Sequence, residues 1–137
     1  MKYKIALQTD IGIKRETNQD SCCIKEAVTN AGTVLMAVIC DGMGGLAKGE
    51  VASATLIKTL SKWFEEELPE IMAMDNPFEE VKYRWDRMIK EQNQNIAAYG
   101  KKLKLQLGST ITAMLILENG RYIIAHVGDT RVYKITN

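Results

Sequence analysis

Four short segments hold the residues whose types and spacing could do chemistry: Arg15-Glu16-Thr17-Asn18-Gln19-Asp20, Asp41-Gly42-Met43-Gly44-Gly45, Gly108-Ser109-Thr110 and Gly128-Asp129-Thr130-Arg131. Taken singly, each has a plain structural reading. A loop arginine is a solvated charge, Asp-Gly is a turn, and a glycine cluster answers a conformational need. Asp41 nevertheless closes an apolar run, and the glycines after it remove the Cβ that would keep a backbone carbonyl from approaching whatever the carboxylate binds. Carboxylate and carbonyl oxygens are what hard divalent cations prefer, so Asp41 and Gly42 suit such an ion. Ser109 and Thr110 look like potential nucleophiles only in isolation, since no plausible activating base accompanies them. His126, the single histidine, lies in a strand pattern and reads as a packed or edge residue.

The elements that must position these residues follow from periodicity. Tyr3, Ile5, Leu7 and Thr9 alternate with polar or small neighbours and predict a first strand, broken at Asp10-Ile11-Gly12. A short second strand is expected at residues 20–24, with a turn at Asn30-Ala31-Gly32. Residues 34–40 form a continuous, β-branched apolar run, read as a strand covered on both faces. Ala52, Leu56, Leu60, Trp63, Phe64 and Leu68 recur at steps of three and four, giving a helix that Pro69 helps to close. Asn76-Pro77-Phe78-Glu79 offers a cap and a first-turn proline for a second helix, whose stripe runs from Phe78 through Val81, Trp85 and Ile96 to Leu103 and which Gly100 weakens near its end. Strand character returns at residues 108–117. Asn119-Gly120 predicts a type I′ hairpin turn into residues 122–127, and a further strand starts at residues 132–135. Three strands, two helices and three strands imply an α+β arrangement of antiparallel sheet with helices on a face.

With 137 residues, 46% of them hydrophobic, the chain has the size and apolar content of one cored domain. Charges of both signs are interleaved and sum to +1, so no basic face or acidic tail points to nucleic acid or to an anionic membrane. Cys22, Cys23 and Cys40 form no CxxC pair and leave an odd thiol, which fits a reducing cytoplasm with the thiols packed as small apolar groups. No segment reaches the ~18 apolar residues of a membrane span, and the start shows no signal-peptide pattern, so a soluble cytoplasmic protein is expected. Segment 41–45 lacks both the G-x-G-x-x-G spacing and the Gly-Lys-Ser/Thr of a phosphate loop, which sets nucleotide binding aside.

In this order, the four segments resemble the signature set of the bacterial branch of the type 2C serine/threonine protein phosphatases, over residues 9–131. The resemblance implies an antiparallel β-sandwich flanked by helices in four layers. It also implies metal-dependent hydrolysis of phosphoserine and phosphothreonine in proteins, in a pathway with a cognate kinase. By the same resemblance Asp41 bridges two Mn²⁺ or Mg²⁺ ions, Gly42 supplies a carbonyl ligand, and Asp20 lies beside the metals, where it can orient water. Asp129 belongs to a third, looser site, and Arg15 clamps the substrate phosphate with a planar fork that pairs two oxygens. Two such cations share a hydroxide of lowered pKa and aim it at phosphorus, so no phosphoenzyme is needed, in keeping with the lack of a Cys-x5-Arg loop. Gln19 stands where relatives often carry Glu, which should weaken the second metal site. Met43 stands where the eukaryotic branch commonly has a histidine able to protonate the leaving oxygen.

Catalytic domains of this family are substantially longer than residues 1–137, and two further metal-binding aspartates come from their C-terminal half. The chain is therefore expected to be the N-terminal part of one such domain, inactive alone, weak in metal binding and prone to self-associate through apolar sheet surface. A non-catalytic phosphate-binding or regulatory module that keeps the fold and Arg15 is the alternative.

Overall fold

The computed structural model describes residues 3–10, 13, 18–44 and 48–137. Its elements are β1 (Asp20–Thr29), β2 (Gly32–Met43), α1 (Gly49–Glu66), α2 (Leu68–Met72), α3 (Pro77–Lys102), β3 (Gly108–Ser109), β4 (Ile111–Leu117) and β5 (Tyr122–Val127). The strands make one antiparallel sheet in the order β1-β2-β4-β5, with β3 paired to the end of β2. This is the expected α+β arrangement, and among the described residues it comprises one sheet and one helical layer.

Strand alternation sorts side chains to two faces. On the face toward the helices, Val34, Met36, Val38 and Cys40 of β2 and Ile111, Ala113 and Leu115 of β4 are buried. They pack with Ala52, Leu56, Leu60, Trp63 and Phe64 of α1 and Phe78, Val81 and Trp85 of α3 in a single core. Trp63 and Trp85 meet edge to face, ring centroids 5.6 Å apart. Polar contacts confirm the orientation: Ser21 of β1 hydrogen-bonds Ser53 of α1 at 3.0 Å, and Lys25 pairs with Glu65.

The other face is open in part, with Leu35 and Thr112 buried on it. Val28 is 86% exposed, Ile39 48% and Ile124 43%, whereas Leu35 is buried, so the second side of β2 is covered only in part and not throughout as its apolar run suggests. Met114, Ile116, Tyr122 and Ile124 line a cavity of about 360 Å³ with Val132, Tyr133 and Lys134, which lie beside this face without forming a strand. The strand expected at residues 132–135 is therefore absent, as is the one expected at residues 3–9. Alternation marks a side-chain pattern, whereas a strand also needs a hydrogen-bonding neighbour, and neither segment has one among the described residues.

Other boundaries shift for local reasons. β1 runs on to Thr29 because it ladders along β2 from Asp41 back to Gly32. Pro69 does more than close α1, since it occupies the first turn of α2. Pro77 opens α3 as expected, but Asn76 makes no side-chain cap, and its carbonyl accepts the Glu80 N–H instead. Gly100 does not end α3: it is buried, and its carbonyl takes the Leu105 N–H at 2.8 Å where the chain folds back. The β4–β5 turn is not type I′, because Gly120 (φ +84°) has left-handed backbone and Asn119 does not. The Gly120 N–H returns to the Leu117 carbonyl, and the Asn119 side chain accepts from the Arg121 N–H. That is a type I turn followed by a left-handed glycine.

Candidate functional site

The long β1–β2 ladder sets Asp20 directly opposite Asp41. Their neighbours Ser21 and Cys40 face the helices, so alternation puts both carboxylates on the open face of the sheet, Asp41 half-buried and Asp20 exposed. Like charges at directly opposed strand positions disfavour the sheet by themselves. A divalent cation between them removes that cost, and two carboxylates beside a backbone carbonyl make a hard oxygen set. The residues present fit such an ion, although among the described residues no three Asp, Glu, His or Cys side chains converge closely enough to hold one.

Backbone contacts fix this pair from three sides. The Asp41 N–H donates to Thr110 Oγ1 at 3.0 Å, and the Thr110 N–H donates to the Asp41 carbonyl at 2.9 Å. The Gly42 N–H donates to the Gln19 carbonyl at 3.0 Å, which also accepts the Ser53 hydroxyl at 2.7 Å. The Asp20 N–H is held by the Asn18 side chain. A Cβ at Gly42 would overlap the carbonyl oxygen of Gly49, the first residue of α1. Glycine at this position thus lets β2 pass against the helix start, a requirement additional to any carbonyl ligation.

Asp129 is exposed, two residues beyond the end of β5. Gly128 before it has φ +112°, and a Cβ there would strike the Thr110 side chain. The loop carrying Asp129 consequently leans on the same threonine that fixes Asp41. Arg15 and Gly45 lie outside the described residues. The Gln19 side chain, expected to bear on the second metal site, has its amide oxygen against Gly49. Met43 is exposed beside β3. His126 lies on edge strand β5, with Nδ1 2.8 Å from Thr112 Oγ1.

Burial pushes the Cys40 thiol up to about 12, with a smaller opposing effect from its hydrogen bond to Ser109. Cys23 is raised by burial as well, so both behave as apolar packing groups. Sequence reasoning missed Ser53, Thr112 and Thr130 as site-supporting groups. The available signal for Ser53 was a small polar residue beside the apolar stripe of α1, where it is fully buried.

The family model for protein phosphatase 2C matches residues 13–136. The chain is 30% identical over 131 residues to the protein phosphatase PhpP of Streptococcus pneumoniae, covering 94% of this chain and 49% of that protein. It is 32% identical over 132 residues to the serine/threonine phosphatase stp of Listeria monocytogenes, covering 95% and 49% respectively. Among solved structures, the S. agalactiae serine/threonine phosphatase superposes with TM-score 0.72 at 33% identity, over 92% of this chain and 48% of that one. The catalytic domain of the serine/threonine protein phosphatase PstP, solved with two manganese ions, gives TM-score 0.65 at 30% identity, over 89% and 46%. The chain spans about half the length of the curated relatives it matches.

Proposed function

Because the chain belongs to the protein phosphatase 2C family, we propose that it supplies the N-terminal share of a catalytic domain that hydrolyses phosphoserine and phosphothreonine in proteins with Mn²⁺ or Mg²⁺. The observation that carries this reading is the cross-strand placement of Asp20 opposite Asp41 on one sheet face. The manganese-bound PstP structure supports the choice of metal. Two cations bound there would supply charge neutralisation and a water of lowered pKa. Asp41 and the Gly42 carbonyl are the residues that would hold them, and Asp20 would orient the attacking water. Thr110 keeps the Asp41 backbone in register, so that its carboxylate stays on the open face. Arg15 would clamp the phosphate, Asp129 would serve a third and looser site, and the phosphoproteins of a cognate kinase would be the substrates.

The test is hydrolysis of a phosphothreonine peptide by a protein of the relatives' length that carries these residues, with Mn²⁺ and after exhaustive chelation. Activity that needs Mn²⁺ supports the reading. Equal activity after chelation removes the metal mechanism, and peptide binding without turnover favours a non-catalytic phosphate-binding module. The 137-residue chain alone should bind Mn²⁺ weakly and turn over little, since carboxylate number sets affinity for hard cations.

A further inference from the structure

We propose that His126 is a positioning residue, which holds the loop bearing Asp129 through a relay of two threonine hydroxyls. Thr112 and His126 are paired across β4 and β5, and Thr112 Oγ1 lies 2.8 Å from His126 Nδ1. The same Thr112 oxygen hydrogen-bonds the Thr130 hydroxyl, one residue after Asp129. Thr112 is 4% exposed and is one of the few buried polar residues. Its hydroxyl therefore has to be satisfied inside the protein, because an unpaired buried hydroxyl keeps the full cost of its lost hydration. The relay ends in a ring fixed on a strand. The segment it holds, beyond β5, has no strand partner and turns at a glycine of positive φ. Thr110 closes the arrangement from the other side, because Gly128 abuts its side chain while its backbone and hydroxyl hold Asp41. Two segments separate in sequence, 108–112 and 126–130, thus form one support that sets the Asp129 loop relative to the Asp20–Asp41 pair. Either arrangement of protons along the relay makes both bonds, so the positioning depends on the atoms being present and not on one tautomer.

The significance of holding Asp129 rests on the function proposed above; the relay itself does not. Backbone ¹⁵N relaxation on this chain, read by nuclear magnetic resonance, tests both separately. His126→Ala and Thr112→Val should raise the amplitude of fast backbone motion at residues 128–131 about twofold and leave the β1–β2 ladder unchanged. His126→Asn, whose amide reaches the place of Nδ1, should restore the wild-type amplitude, whereas His126→Gln should not. Thr112→Ser, which keeps the hydroxyl, serves as the control for folding. In addition, Thr130→Val, which is bonded to Thr112 and not to the ring, should shift the imidazole nitrogen signals of the single histidine. Unchanged backbone motion in His126→Ala, equal behaviour of the Asn and Gln variants, or silent imidazole signals in Thr130→Val would overturn the relay. A loss of backbone motion at residues 128–131 on adding diamagnetic Mg²⁺ to the wild type is expected if Asp129 is a ligand. Its absence, with the relay results intact, would overturn the role given to Asp129 and leave His126 as the support of that loop.

Discussion

At the scale of single residues, the site depends on what cannot be added as much as on what is present. Gly42 has no room for a methyl group, because the first carbonyl of α1 occupies that space and backbone yields less readily than a flexible side chain. Gly42→Ala should therefore lower stability by roughly 3 kcal/mol, the upper range for overpacking, measured as a shift in urea midpoint. Asp41 differs in kind, since removing its charge should spare the fold and disable the site. In a protein of the relatives' length, Asp41→Asn should reduce turnover by more than the roughly 100-fold seen for residues that only support metal ligands. Arg15→Ala should chiefly raise KM, through loss of charge-assisted bonds to phosphate. A variant Asp41→Asn with unchanged rate at limiting Mn²⁺ would take Asp41 out of the site. Cys40 gives a pH signature. Its folded value is raised from 9.0 to about 12 by burial, so the folded state keeps a proton that the unfolded state releases. The associated stability is present below pH 9 and declines as pH rises toward 12. Thermal unfolding between these limits should show a downward slope that Cys40→Ala lessens.

Elements were legible in the sequence wherever one periodic pattern met one partner. The stripes of α1 and α3 predict the helical layer because both helices pack on the same sheet face and meet at Trp63 and Trp85, buried at 2% and 1% exposure. Trp85→Ala should cost about 4 kcal/mol, and near-ultraviolet circular dichroism should lose the signal of the tryptophan pair together with that stability. Retention of both would mean that α3 is only loosely attached. The strands at residues 3–9 and 132–135 could not be read correctly, since alternation carries no information about whether a ladder partner exists. For the same reason the apolar run of β2 says nothing about its second face, which only the neighbouring layer decides. For the candidate site, the signature segments single out Asp20 and Asp41, but the opposition of the two depends on a register running the full length of the β1–β2 hairpin. The threonine contacts from β4 and the loop after β5 were illegible too, because they join positions such as 41 and 110 or 112 and 130 that no local pattern connects.

At the scale of the whole molecule, the helical layer completes one side of the sheet and leaves Val28, Ile39 and Ile124 on the other in contact with water. The same face carries the carboxylate pair at one end, so any body that covers the apolar part also limits access to the site. Only one layer of helices lies against the sheet among the described residues, and the edge strand β5 presents six residues without a single formal charge. Edges and faces of this kind pair with other chains when nothing blocks them. We expect the chain by itself to self-associate through this face. Sedimentation velocity over a range of concentrations should show a dimer or larger species, and Ile124→Lys, which places a charge on the open face and touches neither the buried core nor the carboxylates, should shift the population toward monomer. A chain that stays monomeric at high concentration would show that residues 132–134, which already lie beside Met114, Ile116, Tyr122 and Ile124, shield the face well enough on their own. In that event Tyr133→Ala, by removing part of the cover, should bring the association back.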